Sequence, residues 1–242
     1  MKKNKKGFTL IELLAVIIIL GVLMLVAIPS VTGYISSSRR SSFASTASEF
    51  IKSVGVKVNE GNVSIYDEET LYLFPIGNDE TKSCIKLESG GKSPFSDTYN
   101  YGYVGVVYDG TSYDYYILAV DGARQGFDKQ TKGTGDTVNH QYIIPSKTLE
   151  DDGGDLVVAG ISPISILSEK TDTNTSGLYG SKTRVESPVT TGTGSSATTD
   201  STLLNALLTD GYIKKDGTNP YGTLDGHTIK HVIIVGLDEC NK

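Results

Sequence analysis

From Phe8 to Ile28 the chain runs for 21 residues with a single ionisable side chain, Glu12. Built as a helix at 1.5 Å per residue, this stretch would be roughly 32 Å long, about the thickness of a bilayer's hydrocarbon core. Lys2, Lys3, Lys5 and Lys6 precede it, which orients the span with its leader in the cytoplasm and everything after Ile28 outside. A carboxylate at that depth costs about 2.5–3.5 kcal/mol on insertion scales, and ionisable residues inside a membrane usually have a partner. Within one isolated helix no Lys or Arg lies near enough to neutralise Glu12. The counter-charge must come from elsewhere, most simply from another copy of the chain.

Three readings compete for the segment. A cleaved secretory signal needs small residues at a cut site beyond the apolar run, and Ala27-Ile28-Pro29 and Ile28-Pro29-Ser30 fit that rule badly. A plain membrane anchor leaves Glu12 unexplained. The third reading comes from the residues themselves: Lys5-Lys6-Gly7-Phe8-Thr9-Leu10-Ile11-Glu12-Leu13-Leu14 resembles the class III leader of type IV prepilins. The resemblance covers residues 1 to about 55 and implies a cleaved leader, 1–7, cut between Gly7 and Phe8 by a membrane peptidase that also methylates the new amine of Phe8. It implies that Glu12 pairs with the Phe8 amine of a neighbouring subunit. Two charges about 4 Å apart attract strongly in a low dielectric, although desolvation cancels much of the gain, so the pair sets register more than stability. The implied fold is α+β, a long N-terminal helix packed on an antiparallel β-sheet.

Beyond the span, 8–28, the helical pattern continues. Val31, Tyr34, Ile35, Phe43, Ala47, Phe50, Ile51 and Val54 recur mostly at three- and four-residue steps, the spacing of one apolar face. Ser36, Ser37, Arg39, Arg40, Ser41 and Glu49 take the other side, and Gly55 and Gly61 are stop signals. The expected helix therefore ends near Val58, with 29–58 as its outer half and 59–242 as a β-rich head. Gly21 and Pro29 interrupt it: either a harmless kink at the membrane boundary or, as the resemblance implies, a stretch that extends when subunits pack. Arg39-Arg40 is either a solvated helix face, a docking element for an acidic neighbour, or a DNA contact.

The head reads as short strands between turns: Val63–Tyr66, Leu71–Ile76, Ser83–Leu87, Tyr101–Tyr108, Tyr113–Val120, His140–Ile144, Asp155–Ala159 and Thr228–Gly236. Asp109-Gly110-Thr111-Ser112 is a hairpin signal. Thirteen of the 14 tyrosines lie here, and they suit strand surfaces; an exposed binding face around Tyr99, Tyr101, Tyr103, Tyr113 and Tyr115 is the alternative. From 171 to 202, 20 of 32 residues are Ser, Thr or Gly, too few apolar groups to offset ordering entropy, which predicts a long surface loop. A short amphipathic helix, Leu203–Leu208, follows with Ser201 or Thr202 as its cap. Gly211-Tyr212-Ile213 and Thr218-Asn219-Pro220-Tyr221-Gly222 are similar to the helix exit and turn that precede the last strands in many pilins.

Charge narrows the function classes. The chain has 22 basic and 28 acidic residues, and four of the lysines lie in the leader. The remainder, 18 against 28, is a poor nucleic-acid binder, because phosphate contacts depend on clustered Lys and Arg. Cys84 and Cys240 are the only thiols; they form one bridge across most of the head or stay free. Members of the resembled family often staple their C-terminal region with one disulfide, which favours the bridge although Cys84 lies unusually far upstream. His227 and His231, with Cys240 nearby, are spaced for a shared strand face but lack matching carboxylates for a metal. Asp151, Asp152 and Asp155 form a weak calcium candidate without a known loop spacing. There is no nucleophile elbow, phosphate loop or zincin motif, and no LPxTG-like sorting signal. The expected protein is not an enzyme and carries no cofactor.

The resemblance thus implies a type IV pilus subunit used for adhesion, motility or biofilm formation, or a pseudopilin of a secretion or competence DNA-uptake system. A membrane-tethered monomeric binding protein is the reading outside the family. Implied partners are further copies of the chain, a prepilin peptidase and methylase, an assembly ATPase, a membrane platform protein and minor pilins. The implied location is the cytoplasmic membrane, then an extracellular filament.

Overall fold

The computed structural model describes residues 7–61, 63–77, 83–161, 184–186, 190–191, 198–199, 214–215 and 222–240. They fall in two compact units, Met1–Arg39 and Arg40–Lys242. One helix, α1 (Leu10–Asn59), begins in the first unit and ends in the second. It contains Pro29, where Ser30 and Thr32 hydroxyls donate to the Ala27 and Pro29 carbonyls at 2.9 Å each. The helix runs through Gly55 and stops where Gly61 takes a left-handed φ of 73°.

In the second unit α1 buries Phe43, Ala44, Ala47, Phe50, Ile51, Val54 and Val58, a stripe at three- and four-residue steps. Val31, Tyr34 and Ile35, expected on that stripe, are exposed, so packing starts at Phe43. The Phe43 ring lies 5.0 Å from Tyr99 and 5.1 Å from Phe127, and Phe50 meets Tyr99 edge-on at 5.6 Å. Each such ring contributes about 1.5–3 kcal/mol by leaving water. Gly91 (φ 60°) approaches Phe50 so closely that a Cβ would sit 2.6 Å from the ring, a position only glycine fills.

The strands are β1 (Thr70–Pro75), β2 (Tyr99–Tyr108), β3 (Tyr113–Asp121), β4 (Gln125–Phe127), β5 (Lys129–Lys132), β6 (Val138–Gln141), β7 (Ile144–Pro145) and β8 (Val157–Ala159). After them come β9 (Arg184–Glu186), β10 (Thr190–Thr191), β11 (Thr198–Thr199), β12 (Lys214–Lys215), β13 (Gly222–Leu224), β14 (His227–Ile229) and β15 (His231–Ile234). Two short helices complete the set, α2 (Ser146–Asp152) and α3 (Leu237–Cys240). Among the described residues the main sheet has eight strands in the order β8-β4-β3-β2-β1-β15-β9, with β7 also on β3. It is mostly antiparallel, but β1 and β15 run parallel, Leu71 opposite Val232 and Leu73 opposite Ile234. The layout is α+β and consistent with the pilin fold.

The sheet is apolar on both faces. Tyr72, Phe74, Val104, Val106, Ile117 and Ala119 face the α1 core, whereas Leu71, Leu73, Tyr103, Val107, Tyr116 and Leu118 form a second core with Leu224, Ile229 and Ile143. Adjacent residues therefore both find cover, as in sheets buried on two sides. This covers most of the expected tyrosine face: Tyr99 and Tyr103 are buried, and Tyr113 and Tyr115 are partly buried against the α1 core, while the Tyr101 side chain lies outside what the structure describes.

Several expected elements differ. Val63–Tyr66 is not a strand, and Ser83–Leu87 makes only one bridge, Ile76 to Ile85. Thr228–Gly236 divides at Lys230, where the Lys230 and His231 amides donate to the Glu69 carbonyl (2.7 and 3.3 Å) and the Lys230 ammonium pairs with the Glu69 carboxylate at 2.6 Å. Within 171–202, described only in part, Arg184–Glu186 is a strand paired with β15. Leu203–Leu208, Gly211-Tyr212-Ile213 and Thr218–Tyr221 lie outside the described residues. The Asp109 hairpin holds: its carboxylate accepts from the Ser112 and Thr111 amides at 2.7 and 2.8 Å, which keep it well below the usual carboxylate range.

Candidate functional site

The N-terminal end of α1 is where the chain's one deep acid sits. Thr9 precedes the first helical residue, and the Glu12 carboxylate accepts from the Thr9 amide at 2.8 Å and the Thr9 hydroxyl at 2.9 Å. The Thr9 hydroxyl in turn accepts from the Glu12 amide at 3.3 Å. This is a reciprocal capping box, Thr-x-x-Glu, which satisfies donors that a helix start leaves without partners. The sequence reading treated Glu12 only as an intermolecular partner and missed Thr9; the three-residue spacing of the two was the available signal. The carboxylate is thus hydrogen-bonded to its own chain, and among the described residues no cation pairs with it.

Around it the surface is apolar and open. Phe8 is 93% exposed, and Leu10 through Val26 present their large apolar side chains outward without burying one. Nothing stands within 4 Å of where a Cβ on Gly7 or Gly21 would project. An apolar surface of this extent has to be covered by lipid or by other helices. α1 is long and apolar enough to cross a membrane, and none of its most apolar window is buried.

The other expected residues lie in the second unit. Cys84 and Cys240 are joined in a disulfide with Cα atoms 5.1 Å apart, and the Lys57 ammonium donates to the Cys240 carbonyl, so α3 is tied both to the sheet side and to α1. His227 pairs with Asp114 at 2.8 Å, and His231 is exposed on a different strand; Cys240 is used in the disulfide. They do not converge. Asp151 and Asp152 end α2 and Asp155 follows in the next turn, its amide donating to the Asp152 carbonyl at 2.9 Å. Among the described residues no three His, Cys, Asp or Glu side chains come together to hold a metal ion, so the calcium candidate is not assembled.

Residues 2–28 match the family model described as the prokaryotic N-terminal methylation motif, the class III prepilin leader. No curated protein and no solved structure matches the chain. The leader, the apolar helix behind it and the α+β head together are consistent with a type IV pilin, and the leader supports membership of the pilin or pseudopilin class. It implies processing by a prepilin peptidase and assembly, and with the apolar helix it fits membrane anchoring before assembly.

Proposed function

We propose that this chain is a structural subunit of a type IV pilus, cleaved between Gly7 and Phe8, methylated on Phe8, and polymerised through α1 into an extracellular filament. One observation carries the reading: a helix surface from Leu10 to Val26 without a buried large side chain surrounds a single carboxylate that has local hydrogen bonds and, among the described residues, no counter-ion. In lipid the apolar surface is satisfied and the acid is not. In a bundle of parallel copies both are satisfied, because cleavage creates a cationic amine on Phe8 four residues from Glu12. Gly21 and Pro29 would supply local give in that bundle. Filament roles in this class are adhesion, movement over surfaces and biofilm growth.

Glu12→Ala tests the reading. The variant is expected to be cleaved and methylated normally, to stay in the membrane, and to yield no filaments by electron microscopy of sheared cells. Absence of filaments from the parent chain would defeat the reading, and parental yield from the variant would remove Glu12 from it. Mass spectrometry of the sheared fraction should find Phe8 at the N-terminus with an added methyl group. Abundance there separates a surface pilus from a pseudopilin, which stays with its secretion or uptake machine.

A further inference from the structure

We infer that the Arg39-Arg40 face of α1 docks into the polar groove of a second copy of this chain. The inference rests on the polymerisation reading above. Arg39 and Arg40 are exposed, and among the described residues neither makes an ion pair. The groove lies in the second unit, with Ser41, Ser45 and Ser48 of α1 on one wall and the exposed Glu150, Asp151, Asp152 and Asp155 on the other. None of these four carboxylates has an ion-pair partner among the described residues either. A cationic helix face and an anionic groove, both without partners, are complementary surfaces on one molecule.

Both surfaces are present on every copy, so in a filament each subunit offers its helix face to one neighbour and its groove to another, the head-to-tail contact that an open polymer requires.

Charge reversal in two separate chains tests this. Arg39→Glu/Arg40→Glu and Asp151→Lys/Asp152→Lys/Asp155→Lys, each expressed alone, are expected to give at least about tenfold fewer filaments than the parent. Expressed together they should co-assemble, since the acidic face of one fits the basic groove of the other. Protease resistance and an intact Cys84–Cys240 bond serve as the check that each head is folded. Normal assembly of either variant alone, or failure of the mixture with folded heads, overturns the docking. Rescue by all five changes in one chain, without rescue in the mixture, overturns it too, by assigning the pairing to a single molecule. A parent chain that yields no filaments would instead remove the polymerisation reading, a separable result.

Discussion

In the second unit, adjacent strand residues both find cover, Leu71 in one core and Tyr72 in the other; in the first, Leu20 and Leu23 find none. The two regions have similar apolar residue types and opposite fates. The head is closed by its own chain, because alternating residues meet α1 on one side and β13–β14 on the other. Among the described residues nothing covers the helix from Leu10 to Val26, so its stabilisation depends on what surrounds it. Stability and assembly are therefore separable properties here, written into different residues.

The contrast can be broken most forcefully at the disulfide. Cys84→Ser with Cys240→Ser removes a closure of 156 positions, for which the chain-entropy model gives about 5 kcal/mol. Chemical denaturation of the detergent-solubilised chain should show the head losing most of that amount. Next, Phe43→Ala should lower head stability by about 3–5 kcal/mol. Leu20→Ala, an equally apolar truncation, should leave the head's unfolding midpoint unchanged and reduce filament yield. An equal loss of head stability from both would erase the distinction. Ile229→Ala probes the second core and should cost about 2–5 kcal/mol; a value near zero would mean that β13–β14 only decorates the sheet.

The smallest effect is alkaline. Burial, and then the hydrogen bond to Asp67 at 3.0 Å, push the Tyr72 hydroxyl up to about 12. Burial also raises Tyr99 and Tyr116. An unfolded tyrosine ionises near pH ~10 and the folded Tyr72 does not, so the unfolded state sheds protons first. Head stability should be level below pH ~10 and fall as pH rises toward ~12. Tyr72→Phe should flatten part of that fall in a urea-midpoint series.

Much of this division was legible in the residues. Gly7, Phe8 and Glu12 marked the leader, and the Phe43–Val54 stripe marked the face that packs. Val31, Tyr34 and Ile35 continue that spacing yet stay exposed, because periodicity reports a face and not whether anything lies against it. Runs such as Leu71-Tyr72-Leu73-Phe74 identified strands, but only their lack of alternation hinted at a sheet covered twice. The break at Lys230 was invisible, since it comes from the Glu69 carbonyl, distant in sequence, capturing two amides. Ser146–Asp152 was missed because it has no side-chain cap and buries only Leu149. At the candidate site, Glu12 was evident as a problem and Thr9 was overlooked as its local solution.

The parallel partnership of β1 with β15 has a temporal implication. A ribosome delivers residues 70–75 long before 231–234, so an inner position of the main sheet stands vacant until β15 has been made. Contacts of that separation form slowly, and the interim edge of β1 is open to strangers. A chain truncated before His231 should accordingly leave a head that never settles, whatever the condition of its N-terminal half.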